Sequence, residues 1–101
     1  MKTKMILSFF VALLLVSVGY VTAQRRSITG KVTLADGSIL PGVNVLLKGT
    51  TLGTVTDYQG NYQLTVPTGP GTLVFSFVGL RTKEEVLGVS NVVNVVMEED
   101  V

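Results

Sequence analysis

Histidine, cysteine and tryptophan are all missing from this 101-residue sequence. Without cysteine there is no disulfide, thiolate nucleophile or thiolate metal ligand. Without histidine the commonest general base and a major metal ligand are gone. Ser27, Ser38, Ser76 and Ser90 therefore have no imidazole to activate them, and no lysine is placed by motif to do so. Glu84 and Glu85 are adjacent, so on a strand they point to opposite faces and form no carboxylate pair. Charge is sparse, with 8 basic and 7 acidic residues, and no basic stripe exists for nucleic acid or anionic lipid. No catalytic residue, metal, cofactor or small-molecule ligand is assigned on this inventory. The length leaves room for one domain.

What is present falls into two parts. Lys2 and Lys4 precede an apolar run over residues 5–18. That run has the length of a signal-peptide core and is short for a membrane span. Val21-Thr22-Ala23 follows, a small-residue cleavage site of the A-x-A kind. The sequence thus predicts a signal peptide over residues 1–23, cut between Ala23 and Gln24. An uncleaved anchor helix is the alternative; the short run and the cleavable tripeptide disfavour it. No cysteine stands near the site to carry a lipid anchor. The exported domain, residues 24–101, has lost two lysines and carries a net charge of −1. It has no disulfide, so its stability rests on its core. Per-residue norms place that stability at roughly 4–12 kcal/mol.

Residues 24–101 hold 14 Val, 2 Ile and 10 Thr, so a third of the domain is β-branched. Such side chains are stiff and suit a half-buried pleated surface. Ten Gly and three Pro punctuate it, and no uninterrupted helical period survives. Seven strands are predicted, at residues 27–34, 43–48, 54–56, 61–66, 72–78, 81–87 and 92–97. Residues 72–78 are nearly all apolar and read as a central strand covered on both sides. Residues 81–87 are polar and read as an edge. The predicted core is Ile28, Val32, Val43, Val45, Leu47, Val55, Tyr62, Leu64, Val66, Leu73, Phe75, Phe77, Val93 and Val95. Short strands separated by turn signals give an all-β sandwich.

The turn signals have physical roles. In Asp57-Tyr58-Gln59-Gly60 the aspartate bonds the amide two residues on, and the glycine takes positive φ. A cation site at Asp57 and Asn61 would have one carboxylate, too few for calcium's six to eight oxygens. In Leu40-Pro41-Gly42 the proline fixes φ and Gly42 releases the chain into a strand. Pro41, Gly42, Asp57 and Gly60 are therefore read as structural turn residues. Gly30 lies inside a strand pattern and signals a bulge or a close backbone approach. The hydroxyl-rich loop Thr50-Thr51-Leu52 reads as a solvated turn. Arg25 and Arg26 read as a solvated tail. Tyr58 is the one aromatic of the domain left outside the predicted core, too little for a carbohydrate platform.

Residues 29–79 read TGKVTLADGSILPGVNVLLKGTTLGTVTDYQGNYQLTVPTGPGTLVFSFVG. Within them LPGVNVLLKGTTLGTVTDYQGNYQL and LVFSFVGL resemble the carboxypeptidase-regulatory-like domain. More narrowly, they resemble its copy at the N-terminus of SusC/RagA-type TonB-dependent outer-membrane transporters. The resemblance implies a seven-stranded immunoglobulin-like or transthyretin-like sandwich. It also implies a periplasmic position ahead of a TonB box, plug and barrel. The chain stops at Val101, after the acidic segment MEEDV, where those transporters continue. The expectation is a non-catalytic periplasmic interaction module of a nutrient-uptake receptor, as a fragment without plug and barrel. Its partner is a periplasmic or outer-membrane protein, or the rest of a receptor chain. It has no nucleic-acid partner, and no membrane span lies in the mature domain. A free-standing exported accessory or adhesion domain is the alternative, and the regulatory appendage of a peptidase is a third reading by family name. A polar edge at residues 81–86 would offer backbone groups to a partner strand.

Overall fold

The computed structural model describes residues 24–100. The signal-peptide segment and Ala23 lie outside the described residues; Gln24 is the first of them. Seven strands follow in order: β1 Arg25–Leu34, β2 Asn44–Leu47, β3 Gly53–Val55, β4 Asn61–Pro67, β5 Thr72–Ser76, β6 Lys83–Val86 and β7 Val95–Met97. They form a three-stranded sheet, β4-β1-β7, and a four-stranded sheet, β3-β2-β5-β6. All pairings are antiparallel except β1 with β7. This is the all-β sandwich. Among the described residues no helix is long and apolar enough to cross a membrane.

Period-two alternation builds the core. Ile28 and Val32 from β1, and Tyr62, Leu64 and Val66 from β4, point at Val45, Leu47, Leu73 and Phe75 of the other sheet. The Tyr62 and Phe75 rings meet edge to face across the interior, centroids 5.5 Å apart at 73°. That geometry sets the positive edge of one ring on the negative face of the other. Leu40, Leu87 and Met97 are also buried, though the alternation pattern did not select them.

Two predicted core residues lie outside. Val55 is 53% exposed because it pairs with Asn44, which puts it on the outer face, while Thr54 takes the place opposite Val45. Phe77 is 41% exposed because β5 ends at Ser76, before the alternation reaches it. Its ring edge lies 3.5 Å from where a side chain on Gly42 would begin. Val93 is partly buried against the core. β5 is central in its sheet, yet its outer face is only half covered. The Lys48–Glu84 ion pair, 2.9 Å, spans that face from the strands on either side.

Arg25 and Arg26 are strand residues, not a solvated tail. They pair with Pro67 and Val66 of β4. Arg26 shares the inward phase of Ile28 and is half-buried.

Of the described glycines, Gly30 has the least room for a side chain. A Cβ there would lie 1.8 Å from the Val93 carbonyl oxygen. The chain beside β1 is irregular at this point. Thr29 donates to the Asn91 carbonyl and accepts from the Val93 amide, at 2.9 and 2.8 Å. The Lys31 amide then bonds the Asn94 side-chain oxygen at 2.9 Å instead of the Val93 carbonyl. That carbonyl is taken by the Tyr62 hydroxyl, which donates to it at 2.6 Å. Asn94 and Tyr62 thus satisfy the two backbone groups that the bulge separates.

Burial pushes the Tyr62 phenol up to about 12 from its ordinary 10.0, and the charge of Glu85 adds to the shift. The folded pKa is the higher one, so the stability carried by the neutral phenol is intact below pH 10. It is lost as pH rises through about 12. Urea midpoints should hold steady up to about pH 10 and fall steeply between about 10 and 12. Tyr62→Phe should start lower, having lost the hydroxyl, and show a shallower alkaline decline. An equal decline in both proteins would contradict this role of Tyr62.

Candidate interaction surfaces

The sequence-selected turn residues gather at one end of the sandwich, where β1, β5 and β7 end and β2, β4 and β6 begin. Residues 57–60 close through the Gly60 amide on the Asp57 carbonyl at 2.9 Å, and the Asp57 amide bonds the Asn61 carbonyl at 2.9 Å. The Asp57 carboxylate accepts the amides of Gln59 and Asn61 through Oδ1, at 2.9 and 3.0 Å. Gly60 sits at φ 80°, the left-handed region. Its carbonyl accepts the Val32 amide at 2.9 Å, which ties the turn to β1.

Pro41 and Gly42 stand at the centre of the neighbouring turn, with Gly42 at φ 78°. Here a residue from elsewhere in the chain completes the turn. The buried Thr56 hydroxyl donates to the Leu40 carbonyl at 2.6 Å and accepts the Val43 amide at 2.9 Å. It sits between the two groups that would otherwise bond each other directly. Nothing local in the sequence marks Thr56 for this task; only the tertiary approach of residues 40–43 does.

The loop Thr50-Thr51-Leu52 is a tight hairpin end. Thr50 Oγ1 donates to the Leu47 carbonyl at 2.8 Å and accepts the Leu52 amide at 3.0 Å. Tyr58 is 80% exposed and stands alone at its turn. An open polar depression of about 580 Å³ lies beside β4, with Lys31, Asp57, Asn61, Gln63 and Asn94 on its walls. Its single carboxylate already holds two amides, and Asn94 already holds Lys31 N–H.

β6 is an edge strand, bonded to β5 on one side only. The Leu87 amide bonds the Gly71 carbonyl at 2.8 Å. By antiparallel alternation the backbone groups of Glu84 and Val86 therefore face away from β5. Glu84 shares the outer face with Val74, while Glu85 shares the inner face with Leu73. The two acids are on opposite sides of the sheet. An acid on the inner side of an edge repels indiscriminate strand pairing.

Comparison with known proteins gives the domain's family. Residues 28–101 match the model of the CarboxypepD_reg-like domain. The chain belongs to that family. The chain is 41% identical, over 90% of its length, to TonB-dependent receptor P3 of Formosa agariphila. It is 40% identical, over 77% of this chain, to TonB-dependent receptor SusC of Bacteroides thetaiotaomicron. The matches take up only 9% and 8% of those receptors, so the domain spans less than a tenth of the relatives it matches. Among solved structures it resembles a chain of a type II cohesin–X-dockerin complex from Acetivibrio cellulolyticus. The TM-score is 0.58 at 19% identity, over 70% of this chain and 56% of that one. That likeness extends to the fold.

Proposed function

We propose that this domain is a non-catalytic interaction module of a TonB-dependent outer-membrane receptor. It is exported and faces the periplasm. It works by contact with a protein partner or with the rest of a receptor chain. The observation that carries this reading is the match to TonB-dependent receptors, over 90% of the chain for one and 77% for another. Two structural features support it. First, Gln24 and Asp100 lie at opposite ends of the sandwich. The Gln24 carbonyl accepts the Thr68 amide at 3.1 Å, and the Asp100 amide bonds the Gly79 carbonyl at 3.1 Å. A domain so threaded fits in line between other segments. Second, the contact means are an exposed edge at β6 and short, rigid turns. The acids Glu84 and Glu85 on that edge favour a partner strand bearing lysine or arginine.

The test is competition. The domain, produced in the periplasm of cells that depend on a receptor carrying a similar domain, should slow uptake of that receptor's nutrient. A variant with Val86→Pro on the edge strand should slow it less. Uptake unaffected by a well-expressed, folded domain would contradict contact as the mode of action.

A further inference from the structure

The end of the sandwich opposite the turns holds an arginine that the fold does not satisfy. Arg26 points inward from β1 beside Val66. Its Nη1 donates to the Gly88 carbonyl at 2.8 Å. Its Nε is shielded from solvent and has no acceptor among the described residues. The guanidinium borders a cleft of about 510 Å³ walled by residues 68–70 and 87–89. Among the described residues, no acidic one lines that cleft. A half-buried guanidinium with an unpaired donor and no counter-charge is a costly arrangement, and such a group calls for an anionic acceptor.

The geometry selects the anion. With Nη1 committed to Gly88, the edge formed by Nε and Nη2 is left. That edge is a flat pair of donors matched to the two oxygens of a carboxylate. Pro70, Leu87 and Val89 supply apolar surface in the same cleft. A peptide's C-terminal residue carries a carboxylate and a side chain on one carbon, which fits a guanidinium beside an apolar wall. An aspartate or glutamate side chain brings no apolar group with it. Nε has no exposed surface in this arrangement, so a carboxylate reaches the whole edge only when the rim segments at Gly69 and Gly88 move aside.

We propose that the Arg26 cleft binds the C-terminal carboxylate of a protein partner whose last residue is apolar. The proposal deepens the reading of the domain as an interaction module by naming the chemistry of one partner group. It is tested on the purified chain, apart from any receptor, so its failure leaves the uptake experiment untouched.

The probe is the peptide N-acetyl-Ala-Ala-Leu with a free carboxylate, titrated into ¹⁵N-labelled protein while the Arg26 Nε–H resonance is followed. The free acid should shift that resonance and those of the Gly69 and Gly88 amides in a saturable way. The same peptide ending in a carboxamide should bind about tenfold more weakly or not at all, having lost a charge-assisted pair. Hexanoate should bind more weakly than the peptide, since it lacks the peptide backbone. Arg26→Lys keeps the charge but not the fork, and should lose the preference for acid over amide; Arg26→Gln should abolish binding. Equal binding of acid and amide, or no shift with the acid at millimolar concentration, would overturn the proposal on the unaltered chain. Hexanoate matching the peptide would overturn the assignment to a protein C-terminus.

Discussion

Gly30→Ala should be the most damaging single-methyl change in the domain. The new Cβ would stand 1.8 Å from the Val93 oxygen, 2.7 Å from the Val93 carbonyl carbon and 2.9 Å from the Tyr62 ring. Two of those three atoms are backbone, so a rotamer change cannot relieve the contact. The segment at Val93 must retreat from β1. Its retreat strains the Val93–Thr29 bond at 2.8 Å and the Tyr62–Val93 bond at 2.6 Å together. Leaving the inward carbonyl unsatisfied adds its own penalty to the overpacking. The expected loss is about 3–5 kcal/mol, a large share of the roughly 4–12 kcal/mol expected for a domain of this size. The melting temperature should drop by about 15 °C or more. Gly88→Ala is the matched control: nothing lies within 4 Å of its Cβ position, and its stability should stay within about 0.5 kcal/mol. Equal effects from the two substitutions, measured by urea unfolding, would contradict the close approach of β1 and Val93.

Gly60→Val should be the next most costly, for two separable reasons. The first is conformational: φ 80° is strained for any β-branched residue. The second is space. A Cβ would lie 2.9 Å from the Val32 oxygen and 3.3 Å from the Leu40 nitrogen, both backbone. The combined cost is about 3 kcal/mol. Gly60→Asn separates the two, since asparagine tolerates the left-handed region but still brings a Cβ. It should recover only part of the loss. Asp57→Asn should be mild, because it keeps an oxygen for the amides of Gln59 and Asn61. Added calcium should leave the melting temperature unchanged in every variant. A rise of several degrees with calcium would make the turn a cation site.

The fold was legible where alternation and burial agree. Tyr62, Leu64 and Val66 all point inward, and the polar run at Lys83–Val86 is an edge. It was illegible where a one-residue shift of phase or a strand end decides. Val55 failed because the three-residue β3 carries too little pattern to fix its register, and Phe77 because β5 stops one residue short. Gly30 was readable as a close approach, but its neighbour Val93 was not, since the contact joins residues far apart in sequence. Thr56 and Arg26 show the same limit for polar groups. A threonine just past a short strand and an arginine pair near the start of the domain look ordinary until the chain folds. The hydroxyl then completes a distant turn, and the guanidinium meets a cleft without an acid. Chemistry that depends on tertiary approach leaves no spacing for sequence to show.

The most direct measurement is deletion of the matching domain from a full-length TonB-dependent receptor. Barrel insertion and nutrient uptake are followed side by side. A contact module should be dispensable for the barrel and needed for the work of the receptor. The receptor should therefore still reach the outer membrane in normal amount, while uptake or signalling falls. Unchanged uptake and signalling in cells with a normal amount of inserted, shortened receptor would contradict that role.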